Sequence, residues 1–139
     1  MKIKPPLTKY KSVMIIDDND IDNFINERIL KSALFSENVY VHTSAKSALE
    51  FLKNLEQVKN VPKELIPNYI FLDLNMPIMD GFQFMDIFQQ LSEEFQSAIK
   101  IVILTTSLNP SDVETSKKYK NEIKFLYKPL NETMLKDME

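Results

Sequence analysis

Cysteine and tryptophan are absent from the 139 residues, and glycine and histidine occur once each, as Gly81 and His42. Without cysteine there is no disulfide framework, no thiolate metal site and no cysteine nucleophile. A single glycine cannot build the loops that wrap nucleotide phosphates, which use several for tight turns and close backbone approach; a Rossmann or P-loop site is excluded on that ground. No apolar run approaches the ~20 residues that span a bilayer. The opening Met1-Lys2-Ile3-Lys4-Pro5-Pro6 lacks the apolar stretch of a secretory signal, so a cytoplasmic location is expected. Excess charge of one sign is also missing: 17 Lys and Arg face 20 Asp and Glu, a net charge of −3. That balance gives no electrostatic footprint for nucleic acid or for an anionic membrane.

What remains has the composition of a globular protein, 44% hydrophobic and 27% charged. A chain of this length buries roughly 70% of the surface its unfolded form exposes, enough for one self-sufficient core. One domain over residues 1–139 is expected, with an ordered core from about residue 11 and a lead-in over residues 1–10. Five short apolar runs recur: Val13–Ile16, Val39–Val41, Tyr69–Leu72, Ile101–Leu104 and Ile123–Tyr127. Those at Val13, Tyr69 and Ile101 are nearly continuous in apolar residues, the pattern of parallel strands buried on both faces.

Between the runs the apolar period is helical. Ile21, Phe24, Ile25 and Ile29 make one stripe after an N-cap at Asn19 or Asp20. Ala45, Ala48, Leu49, Leu52 and Leu55 make a second, and Phe84, Met85, Phe88, Leu91 and Phe95 a third. Ser111 with Glu114 has capping-box spacing for a fourth helix after Pro110. A fifth starts near Asn131 and carries Met134, Leu135 and Met138. Strands alternating with helices predict a doubly wound α/β fold, a five-stranded parallel sheet with helices on both faces.

In such sheets ligands bind outside the carboxyl ends of the strands. Asp17 and Asp18 follow the first run, Asp73 and Asn75 the third, Thr105, Thr106 and Ser107 the fourth, and Lys128-Pro129 the fifth. Three carboxylates drawn to one rim repel and raise one another's pKa unless a cation intervenes. Mg²⁺, which takes oxygen ligands, removes the conflict, and Lys128 adds a compact positive charge. Taken one at a time, Asp17 and Asp18 are equally well read as helix-starting residues.

Val13-Met14-Ile15-Ile16-Asp17-Asp18 resembles the opening of receiver domains of two-component response regulators. Ile70-Phe71-Leu72-Asp73-Leu74-Asn75-Met76-Pro77-Ile78-Met79-Asp80-Gly81 resembles their phosphoacceptor block, and Leu104-Thr105 and Lys128-Pro129 their switch threonine and lysine-proline pair. The motifs run in the family's order across nearly the whole chain, which is similar in length to single-domain, chemotaxis-type regulators. The resemblance implies a flavodoxin-like strand order of 2-1-3-4-5. It also implies a phosphorelay switch in which Asp73 accepts a phosphoryl group from a sensor histidine kinase or a histidine phosphotransfer protein.

Further roles follow from the same resemblance. Mg²⁺ (or Mn²⁺) would be held by Asp17, Asp18, Asp73 and the backbone carbonyl of Asn75. Thr105 and Lys128 would contact the phosphoryl group, and Phe125 would occupy the aromatic switch position. Pro77 and Gly81 would shape the loop beside Asp73, and the Lys128-Pro129 bond would be cis. A downstream protein would bind the face made by the fourth helix, fifth strand and fifth helix, and activated copies would be able to pair there. Thr106 departs from the small residue common at its position and would narrow access to the acceptor.

Three rival functions are weaker. A dehalogenase-type phosphatase needs a second acid two residues after the nucleophile, where this chain has Asn75. A pseudo-receiver would lack acceptor or metal residues that are all present. A flavin-binding protein would need a phosphate-cradling loop. The chain is therefore expected to be a signalling domain rather than an enzyme. His42 closes the second run without a recognisable partner, and Gly81 is expected to serve the backbone freedom of the Met79-Asp80-Gly81 turn.

Overall fold

A computed structural model of the chain describes residues 7–106 and 108–138. The N-terminal hexapeptide and the hydroxyl predicted at Ser107 lie outside the described residues. Five strands, β1 (Tyr10–Ile16), β2 (Ser36–His42), β3 (Tyr69–Asp73), β4 (Lys100–Thr105) and β5 (Ile123–Tyr127), form one parallel sheet in the order β2-β1-β3-β4-β5. The strand order and the burial of the central strands agree with the sequence-based expectation. Every residue of β3 and all but the first of β4 are buried, as strands covered on both faces must be.

Helices α1 (Asp20–Ser32), α2 (Ala45–Gln57), α3 (Gly81–Phe88), α4 (Glu93–Ser97), α5 (Pro110–Ser116) and α6 (Glu132–Asp137) connect and flank the strands. A 3₁₀ turn at Lys63–Leu65 lies in the long connection into β3. Two apolar clusters fill the two sheet faces. One joins Met14, Ile16, Ile70, Leu72 and Ile101 to the buried stripe of α2 and to Phe84, Phe88 and Phe95. The other joins Val13, Ile15, Phe71, Val102 and Leu104 to Leu30 of α1, to Leu130, and to Leu135 and Met138 at the end of the chain.

The structure corrects the helix reading in three places. The third stripe is two helices, not one: α3 ends at Phe88, and Ser92 caps α4 by accepting from the Phe95 amide at 3.2 Å. Gln96 holds the break, its Nε2 donating to the carbonyls of Gln89 and Leu91 at 3.0 and 2.6 Å. The helices predicted as fourth and fifth are therefore α5 and α6. Helix α5 is capped by Asn109, whose Oδ1 accepts from the Ser111 amide at 3.0 Å; Ser111 itself is inside the helix.

The largest correction is at α1. Its N-cap is Asn19, but Ile21, Phe24 and Ile25 of the predicted core stripe are 70%, 60% and 39% exposed. The buried positions are Asn23, Asn26 and Leu30. Each asparagine offsets part of the cost of burial with a backbone hydrogen bond: Asn23 Nδ2 donates to the Asp17 carbonyl at 2.8 Å, and Asn26 Oδ1 accepts from the Leu130 amide at 3.0 Å. Asn23 Oδ1 and Asn26 Nδ2 are buried without a partner among the described residues. Among the described residues no helix is long and apolar enough to cross a membrane.

Candidate functional site

The site lies where β1, β3 and β5 end. Asp17 is fixed at every polar atom for which a partner is needed. Its amide donates to the His42 carbonyl at 3.1 Å, its carbonyl accepts from Asn23, and its Oδ1 accepts from the Asn19 amide at 2.9 Å. Its remaining oxygen, Oδ2, pairs with Lys128 Nζ at 2.5 Å. Asp17 is 2% exposed and Asp73 7%, whereas Asp18 faces solvent. Asp17, Asp18 and Asp73 each offer a carboxylate oxygen, and these atoms lie within 4.8 Å of one another.

Two buried carboxylates this close to a third acid need positive charge. Burial and the neighbouring Asp17 carboxylate push Asp73 up to about 6, against a pull downward from Lys128 and from the Asn75 amide hydrogen bond. Lys128 is pushed up as well. Burial alone would lower its pKa, but Asp17, Asp73 and Asp22 outweigh that cost and hold the ammonium at about 12. One lysine thus offsets part of the charge, and the oxygen-only donor set left over suits a hard divalent cation. The acidic pocket of Asp17, Asp18 and Asp73 fits such a metal.

The loop after β3 is shaped by two unusual backbone features. Ile78 has φ 69° and stands fully exposed, at the centre of a tight turn in which the Met79 amide donates to the Pro77 carbonyl at 2.7 Å. A β-branched residue in the left-handed region is strained. Gly81 shows no positive φ, so the expected backbone freedom is not its role. A Cβ there would stand 2.8 Å from the Asp73 carbonyl oxygen and 3.0 Å from Leu74 Cα, so glycine is required by the close approach of α3 to the end of β3. Asp80 and Gln83 form a reciprocal capping box that fixes the start of α3.

Other predicted residues fall around the same rim. Thr105 is buried at the end of β4, and its carbonyl accepts from the Lys128 amide at 2.9 Å. Thr106 is exposed, Phe125 is half-buried opposite Ile103, and the Lys128-Pro129 bond is cis. His42 does have a partner: its Nδ1 lies 2.8 Å from Ser47 Oγ, its ring packs on Phe51, and burial lowers its pKa.

Sequence reasoning missed Asp22, whose Oδ2 is 3.2 Å from Lys128 Nζ, only slightly closer than Asp73 Oδ1 at 3.3 Å. Its signal was masked by a conventional role, an acid in the first turn of a helix. Asn23 and Asn26 were missed because amides at helical positions read as surface.

Residues 13–138 match the family model described as the response regulator receiver domain. The chain is 29% identical over 106 residues to response regulator Rcp1 of Synechocystis sp., covering 76% of this chain and 69% of that protein. A two-component response regulator from Cytophaga hutchinsonii superposes with a TM-score of 0.81 at 28% identity, over 94% of both chains. A response regulator receiver protein from Dyadobacter fermentans gives 0.77 at 26%, over 92% of this chain and 94% of that one.

Proposed function

This chain belongs to the receiver-domain family of two-component response regulators, and we propose that Asp73 is the residue through which it takes up a phosphoryl group. Phosphorylation-dependent signalling is the work of that family. What carries the assignment is that Asp73 ends the central strand β3 within the cluster of Asp17 and Asp18, 3.3 Å from Lys128, whereas both oxygens of Asp17 are held more tightly, by the Asn19 amide and by Lys128 at 2.5 Å.

The donor is a phosphohistidine on a sensor kinase or phosphotransfer protein. An Asp73 carboxylate oxygen attacks phosphorus and forms an O–P bond as the N–P bond breaks. The imidazole nitrogen leaves with the electron pair and takes a proton from solvent. Such a transfer depends chiefly on orientation and neutralisation of charge. Lys128 supplies one positive group at the acceptor, and Asp17, Asp18, Asp73 and the Asn75 carbonyl are the residues that would hold Mg²⁺ or Mn²⁺. The bound ion would supply further neutralisation of the phosphoryl oxygens. Thr105 donates its hydroxyl to one of those oxygens, and Phe125 responds to the movement of the Thr105 loop. Pro77, Gly81 and Pro129 shape the surrounding turns, while Thr106 sits at the open edge and limits access.

Two faces divide the partners. The apolar side chains of Ile21 and Phe24, exposed on α1 beside the rim, suit the histidine donor, whose phosphoryl group has to reach Asp73. The face of α5, β5 and α6 suits the downstream protein, and a second activated copy, because Phe125 lies within it. Acetyl phosphate with Mg²⁺ is expected to label the wild type and not Asp73→Asn, read by phosphate-affinity electrophoresis or intact mass. Equal labelling of both proteins would overturn the assignment.

A further inference from the structure

Lys128 carries three N–H donors, and three carboxylates surround them: Asp17 at 2.5 Å, Asp22 at 3.2 Å and Asp73 at 3.3 Å. The first and third belong to the acidic cluster; Asp22 does not. With a cation in that cluster, the carboxylates of Asp17 and Asp73 are shared, whereas Asp22 still faces the ammonium alone. We propose that Asp22 is a positioning residue for phosphoryl transfer, holding the Lys128 ammonium between the first turn of α1 and the acceptor.

The surrounding structure fixes Asp22 as a positioning group must be fixed. Its amide donates to Asn19 Oδ1 at 2.9 Å, and the Asn19 amide donates to Asp17. The next residue, Asn23, ties α1 to the Asp17 carbonyl, and Asn26 ties it to Leu130, two residues beyond Lys128. Hydrogen bonds therefore fix the backbone on either side of the contact, the Asn23 and Asn26 bonds buried and the Asp22 amide bond exposed. The lysine is 8% exposed and the Asp22 side chain 34%, so the pair is neither a free surface contact nor fully desolvated. A compact ammonium on a flexible stem has no orientation of its own. A third carboxylate, on α1, gives it a partner besides Asp17 and Asp73.

This inference rests on Asp73 being the acceptor, and the test separates the two. Lysine-ammonium nitrogen spectra of the metal-free protein at low temperature are expected to show one slowly exchanging signal, assigned by its loss in Lys128→Arg. Asp22→Asn should broaden that signal. It should also lower the maximal rate of phosphorylation by acetyl phosphate about three- to tenfold, with the half-saturating concentration unchanged. Asp22→Glu should restore both. The proposal is overturned by a wild type without the protected signal, by a D22N protein that changes only one of the two readouts or neither, or by Glu behaving as Asn. If D22N does not keep the wild-type backbone spectrum, Asp22→Ser replaces it. A wild type that takes no phosphoryl group sinks the Asp73 reading instead, while the ammonium signal still judges the contact.

Discussion

Helices α1 and α2 each have thirteen residues and contribute to opposite apolar clusters of one sheet, yet they bury different chemistry. Helix α2 buries Ala45, Ala48, Leu49, Leu52 and Leu55, a plain apolar stripe. Helix α1 buries Asn23, Asn26 and Leu30 and turns Ile21, Phe24 and Ile25 outward. The first is held by packing, the second largely by hydrogen bonds to the loops that carry Asp17 and Lys128. A helix seated in this way commits polar groups to the site and leaves its apolar side chains exposed.

The largest effect expected from this contrast is on α2. Leu52 is fully buried, and Leu52→Ala should cost about 3 kcal/mol through lost transfer energy and the cavity left behind. Asn26→Ala, equally buried, should cost about 2 kcal/mol, most of it from leaving the Leu130 amide without its acceptor. Urea unfolding of the metal-free proteins measures both. An Asn26 variant as stable as wild type would show that α1 is held by packing after all.

These two helices also show what was legible in the sequence. The covered central strands and α2 followed from apolar period, because apolar burial dominates the energetics of those elements, whereas the strand order was implied by the family resemblance. In α1 the same period pointed the wrong way, since two buried asparagines outcompeted Ile21 and Phe24 for the inner face. The three acids and Lys128 were readable because strand ends in a doubly wound sheet converge. Asp22 was not, because its pairing depends on how α1 is rotated, and that rotation is set by the asparagines. Gly81 was noticed for the wrong reason, as only the three-dimensional approach of α3 to the Asp73 carbonyl reveals the constraint.

The rim where the two faces meet has a stability cost that pH exposes. The Asp73 pKa of about 6 in the folded protein lies above its ordinary 3.8. A group raised in this way contributes stability fully present below the unfolded value and lost as pH rises through the folded one. In metal-free protein, Asp73→Asn should therefore be more stable than wild type by roughly 2 kcal/mol above about pH 7, with the gap closing between about pH 6 and 4. Mg²⁺ should narrow the gap at high pH, because it binds the folded wild type with its cluster intact. Thermal melts across pH, with and without Mg²⁺, read this; a gap that widens on acidification would contradict the sign.

Ile78 should give a smaller effect of the same direction. Glycine accepts its φ of 69° without strain, and the relief of about 1–3 kcal/mol exceeds the entropy that glycine loses on folding. Ile78→Gly should gain about 1 kcal/mol of stability in chemical denaturation. A loss would place the strain elsewhere in the Pro77–Met79 turn.

The smallest stability change is expected at Phe24, and it draws the sharpest line between the two helices. Its ring is 60% exposed, with the Arg28 guanidinium 5.6 Å from its centroid. Exposed substitutions away from buried networks stay within about 0.5 kcal/mol, so Phe24→Ser should unfold at nearly the wild-type urea concentration. If the outward face of α1 receives the histidine donor, transfer from a phosphorylated kinase or phosphotransfer protein should slow by about tenfold or more, the loss typical of an aromatic anchor at an interface centre. Phosphorylation by acetyl phosphate, which needs no docking surface, should keep its wild-type rate. A variant slowed equally with both donors would place the defect in the acceptor site, and one slowed with neither would leave the apolar face of α1 without a role in transfer. The decisive quantity is the ratio of the two rates, since it cancels any common change in the rim and leaves only what the exposed ring contributes.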